Sequence, residues 1–327
     1  YKHTDGYYYY PRTTGNNVTL RRSPVLTGIE SGETKIIWKP EGEMAGFGAV
    51  WAPEVHYIDD KWYVYFATES AERDHRMYVL ENASPDPFEG TWELKGQVKD
   101  PHDDWAIDGT VLQVEGQLYF AWSGWEDDQG GKQIIFIARM SNPWTIASER
   151  VEISRPEYDW ETNHRPLINE GPQFMIKNNT INLVYSASGS WTDDYCLGLI
   201  TADVSADLMD PNSWTKREQP IFQSANGLFG PGHHSFTSSP DGKEDWIVYH
   251  TAKWSGAGWT RLVRAQPFTW HDDDTPNLGE PLDPNMPIPA PSGEPGRLRF
   301  EAEEAELSGG LEIREDVTAS GGHKVAP

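Results

Sequence analysis

The sequence predicts an all-β fold, a five-bladed β-propeller, and three observations carry that expectation. A strand–turn–strand unit recurs five times, with turns at Gly6, Asp60, Gly116, Asn179 and Gly242, separated by 54, 56, 63 and 63 residues. A near-constant period of this kind marks a repeat architecture. Each period holds further strand candidates, such as Gln133-Ile134-Ile135-Phe136-Ile137-Ala138, which suits a four-stranded blade. No convincing long helical pattern is present.

The units follow in order. Tyr1-Lys2-His3 leads through an Asp5-Gly6 turn to Tyr7-Tyr8-Tyr9-Tyr10. Residues 52–67 repeat the pattern around Asp59-Asp60, and residues 107–122 repeat it around Glu115-Gly116. The fourth copy runs from Ile168 through the Asn178-Asn179 turn to Tyr185. There Glu170 is followed at once by Gly171 and Pro172, neither of which suits a helix interior. The fifth copy runs from Gly232 to His250. After Trp270 comes a Pro- and Asp-rich segment from Asp272 to Pro295 without periodicity, read as a closing tail and a linker. The expected boundaries are a propeller over 1–290, a linker over 291–296 and a new segment over 297–327. Those last 31 residues are too few to bury a core alone.

Composition excludes several classes. The 327 residues carry 27 Lys and Arg against 51 Asp and Glu, a net charge of −24. A nucleic-acid binder needs the opposite sign, and a membrane-surface role is disfavoured for the same reason. No apolar run reaches the roughly 18 residues that a membrane span needs. Fifteen Trp and 14 Tyr are many for this length, enough for a core and for platforms on which sugar rings stack. Cys196 has no partner for an internal disulfide and is expected on a buried strand. No Cys or His spacing suggests zinc. No signal peptide is visible, and the opening at Tyr1, in mid-pattern, suggests a processed or cut chain.

In a propeller the innermost strand of each blade lines a central channel, so residues at equivalent places converge. Glu54, Asp108, Glu170 and His233 occupy such places on the repeat pattern. Several charged groups meeting there would repel one another and lose solvation, which points to a site.

The combination of Ala106-Ile107-Asp108-Gly109 in the third unit, Asn169-Glu170-Gly171-Pro172 in the fourth and Gly232-His233 in the fifth resembles glycoside hydrolase family 43, over Tyr1 to about Pro289. The resemblance implies a five-bladed propeller and a secreted, monomeric, inverting enzyme acting on arabinofuranosides or xylosides of plant cell walls. It implies Glu170 as general acid and Asp108 as the acid that tunes and orients it. His233 would lie where relatives hold a calcium or other small ion, directly or through water; the chemistry itself requires no cofactor. Inverting hydrolysis needs one protonated carboxyl and one carboxylate about 6.5–9.5 Å away. The implied base, an Asp in an Asp-Pro motif, is expected upstream of Tyr1.

Other candidates are Trp51, as a sugar platform or core; Trp105, His164 and Asn169, beside the acids; and Arg264, to pair with a channel carboxylate or at the surface. Glu54 is read as structural. Asp127-Asp128, Asp193-Asp194 and Asp272-Asp273-Asp274 are read as solvated loops. Phe300-Glu301-Ala302-Glu303 and the following residues resemble the first strands of a truncated β-sandwich, a carbohydrate-binding module of the family 6 or 35 type, in which Glu301 and Glu303 would help hold calcium. The leading expectation is an exo-acting α-L-arabinofuranosidase on arabinan or arabinoxylan, with a β-xylosidase and a non-catalytic sugar-binding propeller as alternatives.

Overall fold

Strand β5 (Lys61–Ser70) shows how the core is built. Successive side chains on a strand point to opposite faces. Here Trp62, Val64 and Phe66 pack toward the preceding sheet, while Tyr63, Tyr65 and Ala67 pack toward the following one. Both faces are covered, so the strand reads as a near-continuous apolar run rather than an alternation.

The computed structural model describes residues 1–127, 130–295, 312–315 and 323–326. The chain divides into two compact units, Tyr1–Ser292 and Gly293–Pro327. In the first, antiparallel strands form five blades in chain order. Blade 1 holds β1 (Tyr8–Thr13), β2 (Val18–Ser23) and β3 (Glu33–Trp38), and Lys2 bridges to Tyr8. Blade 2 holds β4 (Gly48–Ile58), β5, β6 (Arg73–Asn82) and β7 (Glu93–Val98). Blade 3 holds β8 (Ala106–Val114), β9 (Gln117–Trp125), β10 (Lys132–Asn142), β11 (Thr145–Ile146) and β12 (Val151–Ser154). Blade 4 holds β13 (Leu167–Lys177), β14 (Thr180–Ala187), β15 (Cys196–Asp203) and β16 (Thr215–Lys216). Blade 5 holds β17 (Phe229–Ser238), β18 (Asp245–Ala252), β19 (Arg261–Trp270) and β20 (Pro276–Asn277). Blades 3 and 4 are joined by a short parallel pairing of Lys132 with Leu167 and Gln133 with Ile168.

Five buried clusters fill the five blade-to-blade interfaces. Tyr9, Leu20, Trp62 and Phe66 lie between blades 1 and 2; Tyr65, Met77, Phe120 and Phe136 between 2 and 3. Ile135, Ile137, Leu183 and Tyr185 lie between 3 and 4, and Val184, Leu199, Ile247 and Phe268 between 4 and 5. Tyr8, Leu26 and Trp246 close the ring between 5 and 1. That closure is also polar: Tyr8 Oη donates to the Ser238 carbonyl at 2.7 Å, and Lys2 Nζ donates to those of Ser239 and Pro240 at 2.6 and 2.8 Å. Trp62 is fully buried, with the rings of His3, Tyr9 and Tyr57 within 5 Å. A buried indole removes roughly 200 Å² from water, so much of the aromatic surplus is core.

Two sequence expectations change here. The segment after Trp270 is not all tail, because Pro276 and Asn277 pair with Trp270 and Thr269 as the outer strand of blade 5. The acidic loops are not simply solvated. Asp193 accepts from the backbone of Gly256 and the hydroxyl of Ser255, and Asp274 accepts from Asn178 and Asn182 of the fourth blade. Asp128 lies outside the described residues. Cys196 is buried on β15. In the second unit β21 (Glu312–Glu315) pairs antiparallel with β22 (His323–Ala326); Glu301, Glu303 and the rest of the expected module's opening strands lie outside the described residues.

Candidate active site

The site is set by one backbone device used four times. On the inner strand of blades 2 to 5 the ladder skips: Trp51 to Glu54, Ile107 to Thr110, Glu170 to Gln173 and Gly232 to Ser235. In each, two residues of the inner strand oppose one on its neighbour, which is a β-bulge. The first residue of each bulge has positive φ: Ala52 at 40°, Asp108 at 56°, Gly171 at 56° and His233 at 47°. Asp and His are among the non-glycine residues that tolerate this region best. Asp108 and His233 are therefore true equivalents. Glu170 stands one place earlier and Glu54 two places later, so the sequence alignment of all four was right in region and wrong in register.

The bulges bring Asp108, Glu170 and His233 together, one ligand-type atom from each lying within 4.8 Å of the others. Both carboxyls are buried, 6% and 7% exposed. Glu170 Oε1 accepts from the Tyr195 hydroxyl at 2.7 Å, and Asp108 Oδ2 accepts the Gly171 N–H at 3.1 Å. His233 Nε2 lies 4.0 Å from Asp108 Oδ1, and the His233 N–H donates to Ser186 Oγ at 2.8 Å. Burial, and then the charge of Asp108, push the Glu170 carboxyl up to about 7. Burial also pushes Asp108 up to about 7, against the pull of the Gly171 N–H. Each acid accepts one protein donor, so the donors do not separate them; the charge of Asp108 raises Glu170, which places the charge on Asp108 and the proton on Glu170. Burial holds His233 below the ordinary imidazole range, neutral near pH 7.

Glu54 anchors a second ring of contacts. It accepts from Thr110 Oγ1 at 2.5 Å and from Gln173 Nε2, and lies 2.5 Å from His56 Nε2. Glu54, Thr110 and Gln173 are the residues that follow the bulges of three blades, so this contact ties those blades together.

The remaining candidates separate. Trp51 is 40% exposed and stacks on His75 at 3.7 Å, while Trp105 is half-buried against Trp125 and the core between blades 2 and 3. His164 Nε2 meets Asp194 Oδ2 at 2.7 Å, tying together two loops at the Glu170 end of blade 4. Asn169 does not reach a substrate: it is fully buried, its amide bonded to Glu161 and Ser154, because neighbours on a strand face opposite ways. Arg264 does not pair with a channel carboxylate either; its Nε donates to Thr251 Oγ1 at 2.8 Å. The arginine near the acids is Arg261, which donates to the carbonyls of Gly230 at 2.5 Å and Ser190, and stands 5.4 Å over the Tyr195 ring. Sequence reasoning missed Tyr195 and Arg261. Tyr195 immediately precedes β15 and Arg261 opens β19, each beside a loop and with no motif to mark it.

Calcium takes six to eight oxygen ligands. Here the two carboxylates each hold a protein hydrogen bond and the third donor is a nitrogen. This set does not fit a calcium ion chelated directly.

A closed propeller with a buried carboxyl of raised pKa beside a second acid at its channel has the parts that acid-assisted glycoside hydrolysis needs. The chain belongs to the glycosyl hydrolases family 43, whose profile matches residues 1–276. It is 41% identical over 295 residues to the extracellular exo-α-(1→5)-L-arabinofuranosidase of Streptomyces avermitilis, covering 86% of this chain and 61% of that protein. It is 40% identical over 320 residues to α-L-arabinofuranosidase B of Pyricularia oryzae, covering 93% and 63%. The chain thus spans about three fifths of the length of these relatives. The crystal structure of α-L-arabinofuranosidase from Lactobacillus brevis superimposes with a TM-score of 0.81 at 39% identity, over 88% of this chain and 94% of that one.

Proposed function

We propose that this chain carries the catalytic site of a secreted, exo-acting α-L-arabinofuranosidase that works with inversion on arabinan or arabinoxylan. One observation carries the reading: Glu170 is a buried carboxylic acid kept protonated near neutral pH by burial and by Asp108, yet aligned by the Tyr195 hydroxyl. The names of the relatives support the sugar and the extracellular setting.

In this reading the Glu170 proton passes to the glycosidic oxygen as the bond to the anomeric carbon breaks. Asp108 keeps its charge throughout and holds the acid's pKa up. A water attacks the anomeric carbon from the opposite face and loses its proton to a carboxylate base. Asp108 is held by the Gly171 N–H beside the acid, a place that suits tuning its neighbour. Glu54 is unsuited as base, because both of its oxygens accept side-chain hydrogen bonds. Trp51, with its exposed face, is assigned to the wall of the sugar pocket.

The test is the product of a fresh digest, followed by NMR before mutarotation. An α-arabinofuranoside should release β-arabinofuranose first. Initial α-product would sink inversion, and release of xylose but not arabinose would sink the substrate assignment.

A further inference from the structure

The loops beside the acid carry exposed aromatic surface that no step above uses. Glu170 pairs with Ser186 and Asn169 with Ala187 at the end of β14, so the loop 188–195 emerges at the Glu170 end of blade 4. Ala252 pairs with both Phe229 and Arg261, so the loop 253–260 emerges at the same end of blade 5. The two loops are tied. Asp193 accepts from Gly256 N at 2.9 Å and from Ser255 Oγ at 2.5 Å, and Arg261 of the second loop's base donates to Ser190 of the first.

On this tied rim stands Trp259, 74% exposed, edge to face with Trp191 at 5.8 Å. Its Nε1 donates to Ser190 Oγ at 3.1 Å. The indole is therefore held, its one polar atom is bonded to protein, and what it offers to solvent is apolar ring. Leaving such a ring in water is unfavourable by about 25 cal/mol for each Å². A neutral sugar, with C–H groups on one face and hydroxyls at its edge, covers such a ring without losing the solvation of its hydroxyls. The rim is joined to the acid through Arg261, over the ring of Tyr195, whose hydroxyl meets Glu170.

We propose that Trp259, backed by Trp191, is a stacking platform for a sugar unit on the leaving-group side of the scissile bond. This rests on Glu170 as proton donor. The donor faces the leaving oxygen, so the aromatic rim beside it meets the part of the polymer that departs. The site then reads at least one unit beyond the bond, and the platform sets preference for chains over short substrates.

The test uses protein inactivated by Glu170→Gln, titrated calorimetrically with free arabinose and with (1→5)-linked arabinotetraose. Adding Trp259→Ala should weaken the tetramer about tenfold more than arabinose, the scale of roughly 50 Å² of aromatic surface returned to water. Trp259→Phe should restore most of the loss, which a merely structural role in the loop would not. Equal loss for both sugars, or no loss, overturns the platform. If the Glu170→Gln protein binds xylotetraose and not arabinotetraose, the arabinose reading fails by itself, and the same ratio measured with xylotetraose decides the platform.

Discussion

Replacing Asp108 by Asn removes one charge and almost nothing else, because Asn keeps an oxygen for the Gly171 N–H. The Glu170 carboxyl stands at about 7 against an ordinary 4.5, with burial as the larger cause and Asp108 as the next. The two acids lie within 4.8 Å of each other, and unit charges at about that separation interact by roughly 3.5 kcal/mol at an effective dielectric constant near 20, on the order of 2.5 pH units. Burial is the larger cause of the rise from 4.5 to about 7, so the effect of removing the Asp108 charge is expected to be on the order of one pH unit. The sign follows from the role. A general acid works protonated, so activity is present below its pKa and lost as pH rises through it. Asp108→Asn should therefore move the alkaline limb of kcat/KM from near pH 7 to near pH 6, with about a fivefold extra loss at pH 7 relative to pH 5. Tyr195→Phe should move the same limb the other way, because the hydroxyl stabilises the carboxylate. The assay is initial rate on an aryl arabinofuranoside between pH 4 and 9. An unmoved limb in Asp108→Asn, with activity retained, would refute the electrostatic role.

Glu170→Ala should lose about three orders of magnitude on an alkyl or oligosaccharide substrate. It should lose far less on an activated aryl glycoside, and equal losses would argue against proton donation. Gly232→Ala should destabilise the fold and disturb the site, because a Cβ there would lie 2.2 Å from Cε1 of the fully buried Tyr195; thermal unfolding should show a loss of about 1–3 kcal/mol. His234 is buried, with neither ring nitrogen bonded among the described residues, and burial pushes its pKa down to about 3. Its folded pKa is depressed, so its stability contribution is present above the unfolded value near 6.5 and lost as pH falls toward 3. The melting temperature of His234→Phe should rise relative to the parent by a few degrees between pH 7 and pH 5, and parallel curves would refute that account.

The blades were legible because hairpin turns announce themselves. Asp59-Asp60 and Glu115-Gly116 adopt the positive φ values that tight turns demand, and their spacing gave the repeat. Asp108, Glu170 and His233 were legible as a group because each sits near the start of an inner strand. Their register was not, since a bulge adds one residue and reverses which face follows, and no local composition announces it. The same parity separates Asn169 from Glu170 and Arg264 from Arg261. Trp191 and Trp259 stayed hidden because loop residues have no period to betray their direction.

The four bulges also divide labour among repeats without altering the backbone that repeats. Blades 2 to 5 each offer the same socket, a residue with positive φ at the bulge, and the occupants differ: a methyl in Ala52, a charge in Asp108, a bare turn in Gly171, an imidazole in His233. The socket restricts its occupant to small residues and to those whose short polar side chains tolerate that conformation. A β-branched or large apolar side chain is costly there. Within that restriction, exchanging one occupant alters the charge at the axis while the sheets stay fixed, so the chemistry of the channel is adjustable blade by blade.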